Sequence, residues 1–151
     1  MSVLKRLGDI YTEALTEVVS TSSGILLDVD SRQSNKNFDE VTGVMYLHGQ
    51  KTGMLFVTAK ESDIKILCAN MIGAKPSDVS KDEIDDTMCE LVNMTAGRAK
   101  LQLSDTEYMF SLLQPFVIRG KNVSIVTKSI AKVEAGSLTN GNITVRFIVV
   151  Y

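Results

Sequence analysis

Residues 80–104 read SKDEIDDTMCELVNMTAGRAKLQLS, and this stretch is the most informative part of the sequence about the fold. Residues suited to a protein core recur in it at spacings of three and four, which is typical of a helix with one buried face. They are Ile84, Met88, Leu91, Val92, Thr95 and Ala99. Ser80 followed three residues later by Glu83 predicts a capping box. The sequence therefore predicts a long amphipathic helix that begins at Ser80.

The opposite face of this helix carries residues that a helix alone does not require. At about 100° per residue, Asp86, Glu90, Asn93 and Gly97 fall within an arc of roughly 60°. Negative charge near the start of the helix is explained by the helix dipole. Asn93 and Gly97 are not explained, because asparagine is an indifferent helix former and glycine costs about 1 kcal/mol relative to alanine. Either close packing inside the protein or the close approach of a partner would account for them.

The same residues resemble the signature of a known family. Residues 90–100, ELVNMTAGRAK, are similar to the Glu-x-x-Asn motif of the CheC/CheX/FliY family of chemotaxis phosphatases, and to its CheX branch most of all. Asp86, four residues before Glu90, and Pro115, about twenty residues after Asn93, match further positions of the pattern. The resemblance implies an α+β fold of the CheC/CheX type, with long helices packed on a largely antiparallel (mixed) β-sheet.

The resemblance also implies an activity and roles for residues. The family hydrolyses the aspartyl phosphate of a response-regulator receiver, CheY in chemotaxis. Asn93 would orient the attacking water and Glu90 would pair with the receiver's lysine, which makes both candidate catalytic residues. Asp86 and Gly97 are candidate partner-binding residues, although a helix-terminal charge and helix packing explain them equally well. The protein would need no metal or cofactor of its own, because Mg²⁺ would be bound by the receiver.

The chemistry of these two side chains is compatible with that role. The amide of Asn93 does not titrate and cannot act as a general base, but it can hold a water molecule. Phosphoryl transfer requires mainly positioning and charge stabilisation. Two other interpretations remain: a solvated helix face without chemistry, and a non-catalytic receiver-binding adaptor or flagellar switch or scaffold component. A small-molecule enzyme is disfavoured, because no constellation of titratable groups indicates a pocket.

Length and composition narrow the class of protein. The chain of 151 residues, 44% of them hydrophobic, can bury one core, which predicts a single domain over residues 1–151. A formal net charge of −2, with no basic stripe, makes nucleic acid an unexpected partner. No apolar run reaches the roughly eighteen residues of a membrane span, and charges interrupt the N-terminus too early for a secretory signal. We expect a cytoplasmic protein with no membrane partner, in which Cys68 and Cys89 are buried, reduced thiols.

The remaining pattern predicts two more helices and a set of strands. One helix covers residues 3–20 and carries hydroxyl groups where a second Glu-x-x-Asn motif would need an amide, so one active face is expected. Thr58 with Glu61 predicts a second capping box, before a short helix that Gly73 stops. Strands are predicted at 24–29, 41–50, 53–59, 108–113, 115–117, 122–128, 129–134 and 142–151.

Residues 142–151 are apolar on both faces near their end. Such a strand is rarely left at an open edge, which predicts that it is either central in the sheet or paired across a dimer. The resemblance to CheX, which dimerises through its sheet, favours a homodimer.

Overall fold

The structure is a computed structural model that describes residues 6–30, 36–129 and 131–151. The helices in these residues are α1 (Leu7–Ser23), α2 (Glu61–Ile72) and α3 (Lys81–Leu103), with a 3₁₀ turn at Pro76–Asp78. The strands are β1 (Asp28–Val29), β2 (Val41–Gly49), β3 (Gly53–Ala59), β4 (Phe110–Leu112), β5 (Phe116–Arg119), β6 (Val133–Thr139) and β7 (Thr144–Val150). Within the described ranges, no helix is both long enough and apolar enough to cross a membrane.

The strands form one sheet in which every described pairing is antiparallel. The order is β1-β6-β7-β3-β2-β4, and β5 also pairs with β2. β4 and β5 thus lie one after the other along the side of β2 that faces away from β3, with Leu112 opposite Leu47 and Phe116 opposite Val44. These features confirm the predicted α+β fold. β7 lies between β3 and β6, so the apolar character of both its faces is explained by its central place in the sheet.

All three helices pack on one face of the sheet, and the main core lies between the two layers. α1 contributes Leu15 and Val19 to this core, and α3 contributes Met88 and Leu91. The other face holds a smaller cluster, in which residues from loops pack against the sheet. Its buried members are Val44, Phe56 and Ile148, and Phe38 and Ile125 lie partly buried against them.

Gly43 allows α3 to lie directly on β2. A Cβ at this position would stand 2.8 Å from the main-chain oxygen of Met88 and 3.1 Å from Cγ1 of Val92. The first distance is shorter than any ordinary contact, and a main-chain atom cannot rotate away from it. The glycine therefore determines how closely the site-bearing helix approaches the sheet.

Replacing Gly43 by alanine is expected to lower the free energy of unfolding by about 1–3 kcal/mol, because the added methyl group overpacks the helix–sheet contact. Alanine otherwise suits a strand better than glycine does, so a loss of stability reports the clash itself. Urea unfolding monitored by circular dichroism measures the change. Gly97→Ala on α3, where the new methyl group has room, is the matched control. Equal stability of Gly43→Ala and the wild type would show that the layers can move apart at no cost.

The second predicted capping box is wrong. α2 begins after Lys60, which makes no side-chain cap. The hydroxyl of Thr58 instead lies in β3, 2.8 Å from that of Thr42 on the neighbouring strand, and the Asp39 amide donates to it. A cross-strand partner therefore uses the oxygen that the local pattern assigned to a helix.

The predicted strands before the last one are shifted. Residues 122–128 form a single isolated bridge, between Ser124 and Asn37, and Val126 is 92% exposed. β6 begins only at Val133 and continues to Thr139, because its ladder partner is β7. The first helix extends to Ser23, beyond its predicted end, and the predicted residues 3–5 and 130 lie outside the described residues.

Candidate functional site

The start of α3 is fixed by the capping box that the sequence predicts. The Ser80 hydroxyl accepts a hydrogen bond of 3.1 Å from the Glu83 amide, and the Glu83 carboxylate accepts one of 3.0 Å from the Ser80 amide. Hydrogen bonding to the carboxylate, first from the main-chain amide of Ser80 and then from its side chain, stabilises the charged form and lowers the pKa of Glu83. Because the first residue is fixed, the rotation of every later side chain about the helix axis is fixed as well.

The two faces of α3 are distributed as the periodicity predicts. Its buried residues include Ile84, Met88, Leu91, Val92, Thr95 and Ala99. On the opposite face Asp86 and Glu90 are exposed, and Asn93 and Gly97 are partly exposed. The candidate residues therefore share one accessible surface of the helix.

An open cleft lies beside this surface. Its helix wall consists of Asp86, Cys89, Glu90 and Asn93, and its other wall consists of residues from the segment between β4 and β5, namely Leu113, Gln114 and Pro115. Asp86, Glu90, Asn93 and the motif proline thus border the same space. The sequence analysis did not predict three of the lining residues, Leu113, Gln114 and Cys89. Pro115 was the one feature of the sequence that indicated the second wall.

The two carboxylates and the amide on the helix wall of the cleft are free to engage a partner. Within the ranges that the structure describes, the side chains of Asp86, Glu90 and Asn93 make no hydrogen bond or ion pair. The neighbouring Asp85 differs, because its carboxylate accepts a 2.6 Å hydrogen bond from Arg119 of β5. Of two adjacent aspartates, one therefore stabilises the fold and the other faces the cleft.

Negative charge surrounds the thiol of Cys89. Burial raises the pKa of Cys89, and the carboxylates of Asp86, Asp85 and Glu90 raise it further. The thiol is only partly buried, which corrects the expectation for Cys89, whereas Cys68 is buried as predicted. A raised pKa keeps the thiol protonated at neutral pH, so Cys89 is unsuited to act as a nucleophile. The cleft favours a cationic group from outside.

Gly97 is not required by packing inside the protein. A Cβ at this position would meet only Cδ1 of Leu112, at an ordinary contact distance of 3.9 Å. Of the two explanations for a glycine within this helix, internal packing therefore finds no support among the described residues. The approach of a partner is the explanation that remains.

The two glutamates of α1 are engaged differently from the carboxylates of the cleft. Glu17 forms an ion pair with Arg98 of α3, and Glu13 accepts a 3.2 Å hydrogen bond from Gln102. Both tie α1 to the flank of α3. No set of three or more metal-ligating side chains is present in residues 6–30, 36–129 and 131–151.

Comparison with known proteins agrees with the helix and its surroundings. A model of the family described as chemotaxis phosphatase CheX matches residues 41–135, which include α3 and both walls of the cleft. The chain belongs to the CheX family. No curated protein sequence matches it.

Solved structures of CheX and CheC-like proteins share the fold over almost the whole chain. CheX from Desulfovibrio desulfuricans is 24% identical, with a TM-score of 0.79 over 95% of this chain and 97% of that one. A CheC-like protein from a Shewanella species is 27% identical, with a TM-score of 0.79 over 99% and 98%. CheX in a complex with CheY, BeF₃ and Mg²⁺ from Borrelia burgdorferi is 14% identical, with a TM-score of 0.76 over 97% of each chain.

Proposed function

We propose that this protein accelerates hydrolysis of the aspartyl phosphate on a CheY-like receiver in chemotaxis signalling. The observation that carries the proposal is the pair of unpartnered side chains, Glu90 and Asn93, side by side on an accessible helix in a chain of the CheX family. The CheX–CheY complex from Borrelia burgdorferi supports a receiver as the partner. We propose that the chain acts as a single domain and works in the cytoplasm, where receivers act.

The amide of Asn93 positions the water. Its oxygen accepts a hydrogen bond from the water, and its NH₂ group donates to the water or to a phosphoryl oxygen. The water attacks phosphorus in line with the aspartyl oxygen, and the P–O bond to the aspartate breaks. The aspartate leaves as a carboxylate, and the oxygen and both protons of the water end on the released phosphate. The transition state is loose, so positioning supplies most of the catalytic effect.

The carboxylate of Glu90 fixes the partner's orientation. It lies one turn before Asn93 and is exposed, so it can pair with the lysine of the receiver's active site. Asp86, a further turn towards the start of α3, adds negative charge at the same end of the cleft. The receiver would bring Mg²⁺ and the phosphoryl group, and this chain would add the amide and the carboxylate.

Release of phosphate tests the proposal directly. Receivers of the source organism are charged with acetyl phosphate and Mg²⁺, and the loss of phosphoryl group is followed with and without this protein. Faster loss from at least one receiver is expected. Unchanged rates for all of them, together with binding, would instead identify the protein as a non-catalytic adaptor or switch component.

We also propose a homodimer, as the family resemblance implies. The sheet face that lacks helices supports this, because Phe116 is 49% exposed there and Tyr46 of β2 is 38% exposed. Contact with a second copy of the chain would cover these side chains and remove apolar surface from water. Sedimentation velocity should give the mass of two chains, and a mass of one chain at micromolar concentration would contradict this part of the proposal.

A further inference from the structure

The face of α3 that carries Glu90 and Asn93 continues towards the C-terminus of the helix. Gly97 and Leu101 follow Asn93 at spacings of four, so Leu101 points within about 80° of Asn93 around the helix axis. Leu101 is 72% exposed. Leu112 of β4 is 40% exposed, and its Cδ1 would stand 3.9 Å from a Cβ at Gly97.

These three residues form an apolar end of the same surface, defined here as Gly97, Leu101 and Leu112. The opposite, acidic end consists of Asp86 and Glu90, and Asn93 lies between the two ends. Neither the glycine nor the exposed leucine is explained by the described part of the chain, since a Cβ at Gly97 would make only an ordinary contact and Leu101 faces solvent. Lys100, in the last turn of α3, also lies on this side of the helix, within about 20° of Asn93 around the axis. The surface therefore runs from negative charge to an end with apolar side chains and one lysine.

The size of a specific interface indicates what covers the apolar end. Such an interface buries about 800 Å² on each partner, which as a disc has a radius of about 16 Å. Leu101 lies eight residues after Asn93, or about 12 Å along the helix at 1.5 Å per residue. A receiver centred on Asn93 with an interface of ordinary size therefore reaches Leu101. No second partner is needed to explain the exposed leucine.

We propose that the apolar end is a second docking point for the receiver and selects which receiver is accepted. It takes an apolar side chain on the receiver surface next to the phosphorylated aspartate, while Gly97 admits the receiver's main chain. This inference rests on the proposed function for its partner, but it concerns binding and not hydrolysis. Two points of opposite character, about 12 Å or more apart, exclude a reversed docking orientation and disfavour receivers with a charge at the apolar point.

Affinity for a loaded receiver tests the inference separately from catalysis. The CheY-like receivers of the source organism are loaded with beryllofluoride and Mg²⁺, which cannot be hydrolysed, and Kd is measured by titration calorimetry. Leu101→Gln should raise Kd by about tenfold for the receiver that the wild type binds best.

Leu26→Gln is the matched control. Leu26 is 75% exposed but precedes β1, which is five strand spacings, or about 24 Å, from β4. Its Kd should stay within about twofold of the wild-type value. Equal binding by Leu101→Gln and the wild type would overturn the inference, even where phosphate release is accelerated. Failure of the wild type to bind any receiver would overturn both the inference and the proposed function.

Gly97→Ala provides a second, independent variant. Its methyl group has room in the free protein, and alanine favours the helix, so the urea midpoint should rise. Kd should nevertheless increase by about fivefold or more, because the methyl group stands where the receiver's main chain approaches. A variant that is more stable and binds as tightly as the wild type would show that no main chain comes close at this position.

Discussion

Replacement of Asn93 by alanine is expected to lower the stimulated rate of phosphate release by about a hundredfold or more. The amide is the group that holds the attacking water, and removal of one well-placed polar group from a catalytic site has effects of this size. Asn93 is partly exposed, and its side chain has no hydrogen-bond partner among the described residues, so the variant should remain folded. Its affinity for a beryllofluoride-loaded receiver should change by less than about threefold, because Glu90 and the rest of the surface are intact.

The matched control for this variant is Asn142→Ala. Asn142 is an exposed amide in the turn between β6 and β7, outside the cleft. Its stimulated rate should equal that of the wild type. An unchanged turnover in Asn93→Ala would end the proposed mechanism, since water would then be positioned by another group. A rate that falls only because binding is lost would move Asn93 from catalysis to docking.

Replacement of Glu90 by lysine is expected to act mainly on docking. The new ammonium group would face the receiver's lysine, and like charges opposed across an interface cost several kcal/mol. About 3 kcal/mol corresponds to a rise of about a hundredfold in Kd and in the receiver concentration needed for half-maximal rate. Added salt weakens wild-type binding by screening the attraction, and it should improve binding by the lysine variant by screening the repulsion.

Asp28→Lys makes the same change in net charge at a distant position. Asp28 is exposed on β1, at the edge of the sheet opposite the cleft. Its binding should remain close to that of the wild type, which separates a local ion pair from a general charge effect. Glu90→Lys with wild-type affinity and altered turnover would assign the carboxylate to the chemical step instead of to docking.

The two capping-box predictions show when a local sequence pattern is sufficient to predict the start of a helix. Ser80 and Glu83 satisfy each other's main-chain amides within three residues, and no distant residue in the described ranges bonds to these amides. Thr58 and Glu61 have the same spacing, yet the threonine hydroxyl bonds to Thr42 across two strands. The sequence pattern was identical in both places, and the neighbouring strand decided the outcome in one of them.

The candidate site likewise has one part that the local sequence predicts and another that depends on distant residues. The surface formed by Asp86, Glu90, Asn93 and Gly97 was predictable, because helical rotation alone brings these residues to one side. The opposite wall of the cleft was predictable only at Pro115, through the family resemblance. Leu113 and Gln114 reach the cleft because β4 and β5 both pair with β2, which nothing near them in the sequence indicates. The charged surroundings of Cys89 were missed although Asp85, Asp86 and Glu90 all lie within four residues of it on α3, so helical spacing could have predicted them.

By itself the sequence determined α3, the residues on each of its faces and the family to which the chain belongs. A helix closes its hydrogen bonds within four residues, so its start and the direction of each side chain around its axis depend on residues that are close in the sequence. Only the tertiary structure decided the strand limits after residue 122, the central place of β7, the second wall of the cleft and the empty space at Gly97. Each of these depends on residues that are far apart in the chain and meet only when the sheet has formed.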